Sequence, residues 1–263
     1  MITQTIISVQ QPPPRETHPI SVVGVVVPAY NEVRSIEPTL QQICDYFRSK
    51  PYDFEVVVAA DGDDGTRELV QQLALGESRL KVIGGPERRG KGRGVREGLR
   101  LLRGDVIGFV DADNKTPITE FDKFEEQFAA GADLVIGSRA LRESRVERHQ
   151  PWFRRAGSKV FAAGMHTIVG LQTISDTQCG FKFFRRPVAE RIFGRQRIDG
   201  YMFDVEILYL AVEAGYRIAQ VPVRWRDDGD SRYQLVSGSL RNLRDLLRIR
   251  LGRYRSTAGG SRP

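Results

Sequence analysis

The chain has 263 residues, 40% of them hydrophobic and 28% charged, with a formal net charge of +7. That length can bury the core of one large α/β domain, while no run approaches the roughly 20 apolar residues of a membrane span and the N-terminus lacks a basic region followed by a long apolar segment. The two cysteines, Cys44 and Cys179, are too few and too far apart for a disulfide framework or a zinc site, so both are expected to be reduced thiols in a cytosol.

Residues 1–20, with QQPPPRETHP, read as an extended proline-rich arm. The β-branched run 22–27, bounded by Pro28, reads as a buried strand, and Ile36, Leu40, Ile43 and Phe47 recur at helical spacing. A second strand is expected over 54–58, a helix over 66–75, a strand over 80–83, a helix over 95–102, a strand over 106–110, a helix over 118–128 and a strand over 134–136. Strands alternating with helices predict a mostly parallel, Rossmann-like sheet with helices on both faces, in one compact unit. After a polar stretch at 140–150, a helix is expected around 153–170, a strand over 179–184, helices after Pro187 and over 203–213, a strand over 218–223 and a last helix over 239–251.

Ligands of such sheets bind beyond the carboxyl ends of the strands. Four polar or glycine-rich segments fall on that rim: PAYNE (28–32), ADGDDGT (60–66), GKGRG (90–94) and DAD (111–113). A bare D-x-D is more often a pair of solvated turn residues, but on a rim that can take a nucleotide Asp111 and Asp113 suit Mg²⁺ or Mn²⁺, hard cations that share oxygen ligands with phosphates. Asp204 and Glu206 lie among apolar residues in GYMFDVEIL, where an unpaired charge is costly, and are expected near the site. None of His18, His149 and His166 falls on the rim and no GxSxG is present, which argues against acyl transfer.

From about Val22 to Arg232 these motifs resemble the family 2 glycosyltransferases of the GT-A fold, which use nucleoside-diphosphate sugars. The resemblance implies that Pro28, Tyr30, Glu32 and Asp61 line the donor's nucleotide, that Asp111 and Asp113 hold the metal, and that VIGSR supplies a basic residue, Arg139. SDTQCGFKFF, FDVEIL and VPVRWRDDGDSR are similar to the polyprenyl- and dolichyl-phosphate glucosyl- or mannosyltransferases. On that likeness Arg154, Ser158, Arg139 and Lys182 would receive the lipid phosphate, while Lys91, Arg226, Ser231 and Arg232 would hold the donor. The implied reaction is inverting transfer of glucose or mannose, from UDP-glucose or GDP-mannose, to a polyprenyl phosphate. The implied layout is a donor half at 21–139, an acceptor half at 140–235 and a basic helix and tail at 236–263.

Between 239 and 263 stand seven arginines against one aspartate, so the remaining chain is close to neutral. With Leu240, Leu243, Leu247 and Leu251 at spacings of three and four, this reads either as a helix lying on an anionic bilayer, at the cytoplasmic face of a membrane, or as a helix packed on the domain. A membrane-protein partner or a second copy of the chain is compatible with either. Confinement of the charge to one end argues against a nucleic-acid binder. Two further alternatives are a family 2 enzyme with another acceptor and a phosphate-loop NTPase, since GPERRGKG nearly satisfies GxxxxGK[ST], with Gly92 where Ser or Thr should stand.

Overall fold

A computed structural model describes residues 19–146, 169–226 and 239–252. Its centre is a seven-stranded sheet built from β1 (Val22–Tyr30), β2 (Asp53–Asp61), β3 (Leu80–Ile83), β4 (Val106–Val110), β5 (Leu134–Ser138), β7 (Phe181–Arg185) and β8 (Ile218–Pro222). Short strands β6 (Arg145–Val146) and β9 (Arg224–Trp225) pair separately. The order is β3-β2-β1-β4-β7-β5-β8, with β7 antiparallel to both neighbours and the other pairs parallel. The mostly parallel sheet expected from the sequence is therefore present.

Helices α1 (Ile36–Arg48), α2 (Thr66–Gly76), α3 (Lys91–Leu99), α4 (Phe121–Ala129), α5 (Arg186–Arg195), α6 (Phe203–Glu213) and α7 (Ser239–Leu251) accompany the strands. Two apolar layers lie on opposite faces of the sheet, and adjacent residues of one strand serve different layers because side chains alternate along it. Val25 and Val27 pack with α1 and α4, whereas Val26 packs with α3 and α6. In β7, Phe181 and Phe183 join the α4 layer, the Phe183 ring centroid lying 4.6 Å from that of Phe121. The same alternation turns Lys182 toward Asp204 of α6 and Phe184 onto Phe193 of α5, their ring centroids 5.4 Å apart.

Several boundaries are shifted from expectation, and two of them bear on the rim. Strand β1 runs through Pro28 to Tyr30, whereas its pairing with β4 ends at Val26↔Phe109, so Pro28 lies where β1 is paired on one side only. Helix α3 starts at Lys91, inside the glycine-rich segment and four residues before the expected start at 95, and ends at Leu99 rather than 102. Gly90, at φ 108°, precedes it, and the Asp199 carbonyl accepts the N–H groups of Gly92 and Arg93 at 2.9 and 3.3 Å.

Candidate active site

The chain leaves β1 toward β2 and β3 on one side, while β4 lies on the other, so the crevice outside the carboxyl ends of β1 and β4 is the topological switch point of the sheet. Tyr30 ends β1, Asp61 ends β2 opposite it in register, and Asp111 follows the last residue of β4. The loop at this rim is tied by side chains. Asp64 accepts the N–H groups of Val33 and Thr66 at 3.1 and 3.0 Å, Thr66 Oγ1 accepts the Glu32 N–H at 2.9 Å, and the Glu32 carboxylate accepts the Ser35 hydroxyl at 2.7 Å. Asp61 accepts the Arg89 N–H at 2.8 Å and the Arg89 guanidinium at 3.3 Å. Next to it the Arg88 guanidinium lies 4.4 Å from the Tyr30 ring centroid and donates to the Tyr201 hydroxyl at 3.3 Å.

Asp111 is seated on Gly180, whose carbonyl accepts the Asp111 N–H at 3.0 Å. Lys91 Nζ lies 2.6 Å from Asp111 Oδ1 and 4.0 Å from Asp204 Oδ2. On the far side of Asp204, Lys182 Nζ lies 2.5 Å from Asp204 Oδ1 and donates to the Cys179 carbonyl at 2.6 Å. Four side chains of alternating sign thus run from under the sheet to the rim. Burial by itself would lower the pKa of Lys91, but the charges of Asp111 and Asp204 outweigh it and hold the pKa above the usual lysine range. Asp113 is bound by its own lysine, Lys115, with Nζ at 2.9 Å. The Lys115 carbonyl accepts the Arg226 N–H at 2.9 Å, which brings the start of the VPVRWR segment to the acidic pair.

Arg139 follows β5 and is bound by both forks to Asp176, Nε at 2.7 Å and a terminal nitrogen at 3.0 Å, with its backbone N–H on the same carboxylate at 3.0 Å. Burial would raise the Asp176 pKa, but Arg139 overrides it and brings it down to about 2. Since its folded pKa lies below the ordinary 3.8, the pair stabilises the fold above that value and the contribution is lost as pH falls toward 2. The loss is expected to be about 2 kcal/mol, read as a steeper fall of unfolding free energy between pH 4 and 2 in the native chain than in Asp176→Asn. Parallel curves would remove the pair's role. The thiol of Cys179 is pushed up to about 12 by burial and stays protonated.

Among the sequence-predicted residues, Pro28, Tyr30, Glu32, Asp61, Lys91, Asp111, Asp113, Arg139 and Arg226 all lie along this rim. Lys182 does not fit an acceptor-phosphate role as placed: it is fully buried in an interior strand, facing α6, and both of its polar contacts lie inside the protein. Asp204 lies beneath the site as expected, whereas Glu206 accepts the N–H groups of Arg197 and Ile198 at 2.8 Å each and braces the loop before α6. Arg154, Ser158, Ser231 and Arg232 lie outside the described residues. Sequence reading missed Asp176 as the partner of Arg139, and Arg88, Arg89 and Tyr201 as rim residues; the arginine pair in PERRGKG was the available signal.

The model of the family described as "Glycosyl transferase family 2" matches residues 24–193. The chain belongs to that family. A dolichyl-phosphate beta-glucosyltransferase of Trichomonas vaginalis is 34% identical over 85% of this transferase and 69% of its own length. The enzymes of that name from Saccharomyces cerevisiae and Homo sapiens are 32% and 31% identical, over 88% and 89% of the transferase and 76% of theirs. In fold, the transferase is similar to mannosyl-3-phosphoglycerate synthase from Rubrobacter xylanophilus, with a TM-score of 0.65, 17% identity and coverage of 92% and 79%. It is also similar to glucosyl-3-phosphoglycerate synthase from Mycobacterium tuberculosis, solved with Mn²⁺, UDP and glucosyl-3-phosphoglycerate, with a TM-score of 0.64, 19% identity and coverage of 88% and 80%.

The geometry also disposes of the phosphate-loop alternative. A phosphate loop needs the N–H groups of its helix's first turn to face the ligand. In the transferase two of these groups donate to the Asp199 carbonyl, and a Cβ on Gly92 would lie 2.5 Å from the Cβ of Phe203. The helix start is packed against protein.

The residues present fit a divalent cation. Asp111 and Asp113 are both partly exposed at the rim and offer hard oxygen ligands, and among the described residues no cluster of three potential ligands competes with them. Two carboxylates leave room for phosphate oxygens and water, as suits Mg²⁺ or Mn²⁺.

Proposed function

We propose that this transferase moves glucose from UDP-glucose to a polyprenyl or dolichyl phosphate, with inversion, to give a β-linked lipid-phosphate sugar. The observation that supports this best is the acidic pair at the switch point of a chain about one third identical, over most of its length, to relatives named for that reaction. The donor's nucleotide lies along Tyr30, Glu32 and Asp61, with Lys91, Arg226, Ser231 and Arg232 toward its diphosphate. Arg154, Ser158 and Arg139 receive the acceptor phosphate.

No side-chain base is required. A phosphate monoester has a second pKa near ~6 and is mostly dianionic at neutral pH, so its oxygen is already a nucleophile. That oxygen attacks the anomeric carbon, the bond from this carbon to the diphosphate oxygen breaks, and the nucleoside diphosphate leaves with the electron pair. Asp111 and Asp113 would hold a Mg²⁺ or Mn²⁺ ion, which would supply Lewis-acid stabilisation to the departing diphosphate. The chain's own share is alignment of the acceptor and placement of cationic side chains where negative charge accumulates.

The test is the purified chain with Mn²⁺, a polyprenyl phosphate and, in parallel, UDP-glucose and GDP-mannose. A β-linked glucolipid by NMR is the expected result. An α-linked product removes the displacement, a mannolipid alone removes the choice of donor, and no glycolipid removes the reading.

The acceptor is a membrane lipid, and no helix among the described residues is long and apolar enough to cross a bilayer. We propose peripheral attachment at the cytoplasmic face through α7. Leu246 and Ile249 are buried in the core, so the helix is anchored to the domain, yet Leu243, Leu247 and Leu251 are exposed with Arg241, Arg244, Arg248 and Arg250 around them. Each arginine at an anionic surface contributes about 1 kcal/mol. Because deleting α7 would also uncover core, the informative change is Leu243, Leu247 and Leu251 to glutamine together. It should abolish sedimentation with phosphatidylglycerol vesicles while leaving transfer to a short-chain, water-soluble polyprenyl phosphate intact. Unchanged sedimentation would sink the attachment.

A further inference from the structure

Each aspartate of the acidic pair faces its own lysine: Lys91 on Asp111 at 2.6 Å and Lys115 on Asp113 at 2.9 Å. Neither is a solvated arm, since their side chains are 17% and 14% exposed. Lys91 is further fixed from behind by Asp204, 4.0 Å away, which the buried Lys182 holds in turn. Three carboxylates and three ammonium groups therefore share the cluster, and its formal charge is zero.

Two bare carboxylates at a protein rim would draw a divalent cation from solution with or without a substrate. Two lysines against them cancel most of that attraction. A unit charge about 4 Å from a divalent ion changes its binding constant by at least about tenfold even at the dielectric of water, and by more at a partly buried site. The balance changes when a ligand brings its own negative charge. Diphosphate oxygens accept hydrogen bonds from the ammonium groups and complete the oxygen shell of the cation, so the carboxylates become available to it at the moment the nucleotide arrives.

We propose that Lys91 and Lys115 are resident counter-ions of Asp111 and Asp113, which hold a divalent cation off the pair until a nucleoside diphosphate is present and so make the two bind as a unit. This rests on the metal-dependent transfer reading given above. Asp204 acts as a positioning residue: it keeps Lys91 aimed at Asp111.

The test measures Mn²⁺ binding to the full chain by electron paramagnetic resonance, without nucleotide and with saturating UDP. The native chain should bind Mn²⁺ at least about tenfold more tightly with UDP, and by linkage bind UDP more tightly with Mn²⁺ by the same factor. The double variant Lys91→Gln, Lys115→Gln keeps the Asp204–Lys182 pair and should bind Mn²⁺ without nucleotide at least about tenfold more tightly than the native chain, with the UDP enhancement reduced to match. Lys91→Arg, Lys115→Arg keeps the charges and should stay near the native values. If the glutamine variant gains no affinity for Mn²⁺ while the native chain still shows the UDP enhancement, the counter-ion role is wrong. A native chain that takes up no Mn²⁺ even with UDP is a different failure, which removes the metal-dependent reading itself.

Discussion

Asp204→Ala is expected to lower the unfolding free energy by about 3–5 kcal/mol, because it leaves the ammonium group of Lys182 buried without its counter-charge. Lys182 is fully buried in β7, and after the substitution the Cys179 carbonyl at 2.6 Å is its one remaining hydrogen-bond acceptor among the described contacts. The Phe109 ring, 5.5 Å from the ammonium group, cannot replace a carboxylate. For a chain of this size the loss corresponds to a fall in melting temperature on the order of 10 °C. A second variant separates the buried charge from mere loss of packing: with Lys182→Met and Asp204→Leu together, both charges are gone and apolar groups of similar volume fill the space, so most of the stability should return. Denaturant melts of the two variants and the native chain decide the matter. A cost below about 1 kcal/mol for Asp204→Ala would mean that Lys182 finds water or another partner, and the buried charge pair would lose its structural role.

That pair also shows what the sequence could and could not disclose. Local signals were strong: the β-branched run of β1, the helical recurrence of Ile36, Leu40, Ile43 and Phe47, and the alternation of strands with helices all describe one residue's relation to its near neighbours, and among the described residues the expected elements are present with shifted ends. The rim was legible for the same reason, since DAD follows an apolar strand and sheet ligands gather at strand ends. Pairings across the chain carried no such periodicity. Arg139 and Asp176 are 37 residues apart and Lys182 and Asp204 are 22 apart, and nothing local ties one to the other. Lys182 in particular sits between two phenylalanines on a strand, where alternation can place it on either face; only the insertion of β7 between β4 and β5 determines that its face is buried under α6. The helix expected over 95–102 begins at Lys91 instead, inside the glycine-rich segment; glycine is a poor helix former, yet small residues are needed there to let α3 lie against Asp199 and Phe203.

Gly180→Ala is expected to reduce kcat/KM by about a hundredfold with little loss of stability, because the added methyl occupies the place of the Asp111 carboxylate, which we propose holds the metal. A Cβ on Gly180 would lie 2.0 Å from Asp111 Oδ2 and 2.2 Å from its Cγ, too close for both to stay. The yielding group is the Asp111 side chain, 40% exposed at the rim, and not backbone, so the fold can accommodate the change by turning the carboxylate toward solvent. In doing so it gives up the 2.6 Å contact with Lys91 and the position from which it would ligate a cation beside Asp113. The measurement is steady-state transfer in parallel with a denaturant melt, and Gly76→Ala is the control, because a Cβ there meets nothing within 4 Å. That control should keep full activity, with stability unchanged or slightly raised. If Gly180→Ala also kept native kcat/KM, the location of the Asp111 carboxylate could not be what turnover depends on, and Asp113 with its neighbours would have to carry the chemistry alone.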